Sequence, residues 1–207
     1  MSDKKVITID ADKFMKAANN GFENQISKEL EIKNASIKDL QCSYGYELLT
    51  GKTKGDIIGR RGIHIVHEDL NEKFSNLNVF LAHIDEVFKN DATVNNQTLL
   101  QDLEEKIETE NYFVYAFKIT GIEENKSVIL IGTKTVAQGD ISFATPKIKL
   151  GGSYLYMEEL EQRLEELITE VELYMGGKTA PQLEQVEMEF NSISDEDNSD
   201  FDEAKVN

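Results

Sequence analysis

Apolar residues recur along this chain with two periods, and the change from one to the other marks its elements. Cys42, Tyr44, Tyr46 and Leu48 alternate with Ser43, Gly45, Glu47 and Leu49, the period of two that a half-buried strand requires. Gly51-Lys-Thr-Lys-Gly55-Asp56 follows as a turn, with glycines where positive φ is expected. Ile57, Ile58, Ile63 and Ile65 supply a return strand, interrupted by Gly59-Arg60-Arg61-Gly62, a pattern that predicts a bulge or a second tight turn. The period then becomes helical. His67-Glu68-Asp69 opens a helix with acids in its first turn, where they suit the helix dipole. Leu70, Phe74, Leu77, Leu81, Ile84 and Phe88 step by three and four as one continuous stripe.

The flanking segments read in the same way. Val6–Ile9 is a short β-like run, Asp10 caps a helix over about 11–18, and Asn19-Asn20-Gly21 stops it. Phe22, Ile26 and Leu30, four apart, predict a second helix covering one side of a sheet. Thr98-Leu-Leu-Gln101 reads as a capping box for a helix of about a dozen residues ending near Thr109. A β-meander follows. Phe113, Tyr115, Phe117 and Ile119 alternate with Tyr112, Val114, Ala116 and Lys118, then come strands over 128–136 and 141–150. Pro146 cannot donate to a ladder, which assigns the last strand to an edge. Ser153 caps a final helix whose stripe is Met157, Leu160, Leu164, Leu167, Val171 and Tyr174, ended by Gly176-Gly177 and Pro181.

These elements predict one α+β domain over residues 1–181: an antiparallel sheet, made of a hairpin plus a three-stranded meander, with helices packed on one face. The two β-then-helix halves, 37–90 and 111–176, read as a weak internal duplication. From about residue 182 the chain is polar, acidic and aperiodic, and a disordered acidic tail over 182–207 is expected.

Charge sharpens this picture. The net charge is −17, with 39 acids against 22 bases. Residues 153–175 carry seven acids and one base, and residues 182–207 carry nine and one. The remainder holds 23 acids against 20 bases. The acidity therefore belongs to the C-terminal third, and the nearly neutral body is open to a polyanionic partner. The single cysteine, Cys42, excludes an intramolecular disulfide and a cysteine-cluster zinc site, and reads as a small core residue. Without a signal-like N-terminal stretch or a long apolar run, the expectation is a protein of the host cell's cytoplasm, away from membranes.

Candidate chemistry is sparse. Gly45–Thr53 resembles a phosphate-binding loop, but it has five residues between its glycines where that motif needs four, and no helix follows it. His64, His67 and His83 show no metal-ligand spacing. The expected roles are a helix cap for His67 and a solvated surface residue for His83. No nucleophile–base or paired-acid arrangement is visible, so the chain reads as a non-enzyme with no cofactor and no metal.

The basic cluster is the positive signal. Lys52, Lys54, Arg60 and Arg61 lie on the turn and return strand beside Tyr44 and Tyr46. Cations that track phosphates, next to rings on which bases stack, are one solution to single-stranded nucleic-acid binding. Lys118, Lys134, Lys147 and Lys149 extend the same groove in this reading. The competing one is that both tyrosines share the core face with Cys42 and Leu48. The acidic tail is similar in composition to those of phage and bacterial single-strand-binding proteins, which recruit partner enzymes, although its Glu-Ala-Lys-Val-Asn end departs from their acidic-aromatic terminus. The alternative function is a protein-binding adaptor or inhibitor that uses the acidic helix and tail.

Two further stretches carry a resemblance. Ile65-Val-His-Glu-Asp-Leu70 leading into Leu77-Asn-Val-Phe-Leu-Ala-His83 is one. Ile131-Gly-Thr-Lys-Thr-Val136 with Phe143-Ala-Thr-Pro-Lys-Ile148 is the other. Both resemble small proteins encoded in phage and prophage early regions, near replication and recombination genes. That family has no assigned activity or site residues to carry over. The resemblance implies an accessory role in DNA replication or recombination, with replication or recombination proteins as partners of the tail.

Overall fold

The computed structural model describes residues 30–181. The run over 6–9, the helix over 11–18 and the tail over 182–207 lie outside them.

The sheet has seven antiparallel strands. In chain order they are β1 (Leu30–Lys38), β2 (Gln41–Leu48), β3 (Ile57–Ile65), β4 (Tyr112–Thr120), β5 (Ser127–Val136), β6 (Gly139–Ala144) and β7 (Ile148–Lys149). Their spatial order is β3-β2-β1-β4-β5-β6, with β7 also on β5. Three strands in a meander are followed by helix, twice, and the two meanders meet where β1 pairs with β4. The helices are α1 (Glu68–Ser75), α2 (Asn78–Ile84), α3 (Leu100–Glu104) and α4 (Met157–Met175). The α+β class expected from the sequence is the class observed.

The core lies between one face of the sheet and the helices. Ile32, Ala35, Cys42, Tyr112, Val114, Phe117, Ile119, Val128 and Leu130 are buried from the sheet side. The helices contribute Leu70, Phe74, Phe80, Leu81, Leu160, Leu164, Leu167 and Val171. All six positions of the α4 stripe are buried, with Glu158, Glu159 and Glu165 exposed on the other side and Glu170 tucked against Lys178. By alternation the opposite face carries Glu31, Asn34, Ser36, Ser43, Glu47, Arg61, Lys118 and Thr133. Among the described residues no helix packs on this open face.

Several local expectations are corrected. Leu30 begins a strand, not the end of a helix, and β1 extends the expected hairpin to three strands. The stripe from Leu70 to Phe88 is broken into α1 and α2. The break is fixed by polar groups: Ser75 Oγ donates back to the Asn71 carbonyl at 3.0 Å, and Arg163 donates to the Asn76 carbonyl at 2.7 Å. Asn78 Oδ1 accepts the Val114 N–H at 2.8 Å. Beyond α2, positive φ at Glu86 takes Phe88 off any helix. The helix expected after Thr98 has five residues and starts at Leu100, with Asp102 accepting the Leu99 N–H. A 3-10 turn, Ile107–Asn111, completes that segment. Pro146 divides the expected 141–150 strand into β6 and β7. The last helix begins at Met157, after a turn in which Ser153 is not the cap.

Candidate nucleic-acid interface

The β2–β3 hairpin positions the basic cluster. Its loop closes through Gly55, at φ +89°, whose N–H bonds the Leu48 carbonyl at 2.8 Å while the Leu48 N–H bonds the Asp56 carbonyl at 3.1 Å. That is a glycine bulge, which sharpens the twist of the ribbon. Lys52 and Lys54 stand exposed on the loop. Cross-strand register then separates the arginines. Arg60 lies opposite Tyr44, on the helix side, and Arg61 lies opposite Ser43, on the open side. The four cations therefore wrap the free edge of β3 instead of lining one face. Arg61 reaches Gln41 Oε1 at 3.4 Å.

Tyr44 and Tyr46 face the helix side. Their rings are 6.4 Å apart and inclined by 27°, and Tyr44 meets Tyr174 edge-on at 6.3 Å. Both are half-buried against the core. Burial pushes the Tyr44 hydroxyl up, against the opposing pull of the Arg60 guanidinium. The two rings thus pack the hairpin onto the domain, with their faces engaged by each other and by Tyr174. Gly62 permits that packing. A β-carbon there would stand 2.0 Å from the Tyr174 hydroxyl, which donates to the His64 carbonyl at 2.7 Å.

An exposed ring that alternation misassigns lies elsewhere. β4 bulges between Val114 and Ala116, so Phe113 falls on the open face while Phe117 is buried. Phe113 is 51% exposed. Lys118 lies on the same open face, and Lys147 and Lys149 are exposed. Lys134 leaves this group. It turns to the helix side, 2.7 Å from Asp85 and 5.1 Å above the Tyr112 ring. Tyr112 donates to the same carboxylate at 2.6 Å. Burial would raise the Asp85 carboxyl, but Lys134 and Tyr112 together hold it below the ordinary range.

The cations fall into two populations. Lys33, Lys73, Lys89, Lys106, Lys126, Lys134, Arg163 and Lys178 each have a carboxylate within 4.0 Å. Lys38, Lys52, Lys54, Arg60, Arg61, Lys118, Lys147 and Lys149 have no such partner among the described residues.

His67 and His83 have structural roles, and His64 is exposed. His67 caps α1 by accepting the Asp69 N–H at 3.2 Å. His83, expected in solvent, is half-buried between Tyr154 and Tyr156, with Nδ1 3.1 Å from the Tyr154 hydroxyl, and burial pushes its pKa down. Cys42 is buried, and desolvation pushes its thiol up to about 12. Among the described residues no cluster of His, Cys, Asp and Glu could hold a metal ion, and no helix is long and apolar enough to cross a membrane. An open cleft of about 580 Å³ is lined by α3 and α4; of its charges Arg163 is committed to Glu104 and Glu166 to Lys73, and Glu159 is exposed.

No family model matches the chain, and no curated protein or solved structure matches it.

Proposed function

We propose that this protein binds single-stranded nucleic acid at the edge of β3 and the adjoining open face of the sheet, as a non-catalytic accessory factor of phage-type DNA replication or recombination. Lys52, Lys54, Arg60 and Arg61 contact phosphate, and the acidic C-terminal segment recruits replication or recombination proteins. The observation that carries this reading is the segregation of cations. Those of the helical layer are neutralised within the protein, whereas those of the β2–β3 hairpin have no acidic partner among the described residues. Unneutralised cations on a narrow edge suit a flexible polyanion, which bends around both sides. Phe113, exposed on the open face of the strand that also carries Lys118, replaces Tyr44 and Tyr46 as the stacking ring.

The test is fluorescence anisotropy of a labelled single-stranded oligonucleotide titrated with the full chain over a range of salt. For a single strand, log affinity falls with log salt by about 0.7 for each phosphate contacted. Replacing the four hairpin cations with glutamine is expected to flatten that slope by about 3. No anisotropy change at low salt, or an unchanged slope in the variant, removes the proposal.

A second reading is supported by the surface around α4. Glu158, Glu159 and Glu165 are exposed there, and Leu99, 65% exposed, lines the cleft with Glu159. An apolar residue rimmed by acids suits a basic protein partner, the adaptor role. Its signature is a protein partner whose retention is lost in E158K/E159K/E165K and kept when the hairpin cations are removed.

A further inference from the structure

The β1–β2 turn carries a residue that its shape disfavours. Lys38 and Gln41 are the last pair of the two strands, so Asp39 and Leu40 alone make the connection. Both have positive φ, +52° at Asp39 and +61° at Leu40. A two-residue turn of this hand matches the twist of its strands, and asparagine, aspartate and glycine enter it with least strain. Asp39 belongs to that set. Leu40 does not, because its β-carbon crowds the following carbonyl oxygen. Nor does burial compensate, since Leu40 is 57% exposed. The turn is held from the far side of β2, where the Val66 N–H bonds the Leu40 carbonyl at 2.9 Å. A strained residue that its surroundings keep in place is a pointer to function.

The neighbours of Leu40 say which. By alternation Lys38 and Gln41 share the open face with Ser36 and Ser43. Arg61 reaches Gln41 Oε1 there, and Ile65, paired with Gln41 and 54% exposed, adds a second apolar side chain. Lys38 is exposed and, like Arg61, has no carboxylate within 4.0 Å among the described residues. The one acid of the turn, Asp39, is exposed and outnumbered by these two cations. β4 runs antiparallel to β1 with Ala116 opposite Ser36, so Phe113 lies at this same end of the sheet. One end of the open face therefore gathers an apolar tip, two cations and an exposed ring.

We propose that Leu40 is a wedge that enters between two neighbouring bases of the bound strand and opens their stack, while Lys38 and Arg61 hold the flanking phosphates. Apolar side chains part base steps in this way when cations beside them secure the backbone. A two-residue connection is the narrowest end a hairpin can have, which suits entry into such a gap. The inference rests on the nucleic-acid reading and adds to it two contact residues, Leu40 and Lys38, and the unstacked state of the bases.

The test uses the full chain and a single-stranded oligodeoxyadenylate carrying 2-aminopurine at intervals, whose emission rises when that base leaves its stack. Saturating protein is expected to raise the emission at least about twofold. L40N is expected to lose most of that rise and to keep the salt slope of binding, because it removes no phosphate contact. Asparagine tolerates positive φ, so L40N should unfold in urea no earlier than the unaltered chain, which separates loss of the wedge from loss of the fold. K38Q is expected to flatten the salt slope by about 0.7, the share of one phosphate. An anisotropy change without a rise in emission, or a rise that L40N retains, overturns the wedge and leaves the nucleic-acid reading standing. No anisotropy change at low salt overturns both. Earlier unfolding of L40N also overturns the wedge, by showing that Leu40 serves the fold, and an unchanged slope in K38Q removes the clamp that the wedge requires.

Discussion

Lys33 and Arg61 present their charges on the same face of one sheet, yet their surroundings are opposite. β1 bulges at Lys33, and its ammonium sits 2.7 Å from Glu31 and 2.9 Å from Glu47, with Lys126 closing the group at 2.6 Å from Glu31. Its side chain is 10% exposed. Burial would lower its pKa, but the two carboxylates hold it raised. Arg61, toward the edge, has among the described residues only the side-chain oxygen of Gln41. The helical layer repeats the first pattern in Lys73–Glu166, Lys178–Glu170 and Lys134–Asp85. The contrast teaches that, among the described residues, this acidic protein has carboxylates to spare and does not direct them at its hairpin. Cations that hold the fold are paired, and those of the hairpin have no acidic partner among the described residues.

The sharpest way to break the contrast is to remove the unpartnered set. K52Q/K54Q/R60Q/R61Q is expected to weaken single-stranded oligonucleotide binding by more than about 100-fold at low salt. The same variant should shift unfolding stability by less than about 0.5 kcal/mol, as surface substitutions do. A large loss of stability, read by urea denaturation, would show these residues to be structural after all.

Lys33 should behave in the reverse way. Lys33→Ala leaves Glu31 and Glu47 facing each other across the β1–β2 pair, at a cost of roughly 2–3 kcal/mol. Oligonucleotide affinity should be unchanged. Gly62→Ala tests the joint between the hairpin and the helical layer. The new methyl group collides with Tyr174 and displaces its hydrogen bond to His64, costing about 1–2 kcal/mol. Comparison with Tyr174→Phe, which loses the hydrogen bond without the collision at about 1 kcal/mol, separates the two contributions.

The smallest effect is in pH. The Asp85 carboxyl is held below its ordinary value of 3.8 in the folded state, so it binds protons less readily there than in the unfolded chain. Its contribution is complete above about pH 4 and is lost as pH falls through the depressed folded value. Asp85→Asn is expected to lower stability in the neutral region, where that contribution is complete, and to flatten the acid limb below pH 4, where the two proteins converge.

The sequence pattern made the class of the fold legible, along with β2, β3, the last helix and the acid-rich C-terminal third. It failed where one residue was inserted into a period. In β1 the inward residues are Leu30, Ile32, Ala35 and Ile37, and the Lys33 bulge turns one step of two into a step of three. With Phe22 and Ile26 upstream, Leu30 then reads as helical. The same defect in β4 put Phe113 on the wrong face. The basic residues of the site could be named from sequence, but their division could not. Lys134 finds Asp85 across 49 residues and Lys73 finds Glu166 across 93. Pairing over such separations is decided by tertiary packing, and no local spacing announces it.

The notch at Gly62 has a mechanical consequence. Tyr174 fits into it as a peg in a socket, near the end of α4, and a few residues later the chain is tied again to β3 through Thr179 and Ala180. A pull on the chain beyond Pro181 is therefore delivered first to the strand that carries Arg60 and Arg61, ahead of the helix packed in the core. Whatever grips the C-terminal segment has hold of a lever, and its fulcrum is a missing carbon atom.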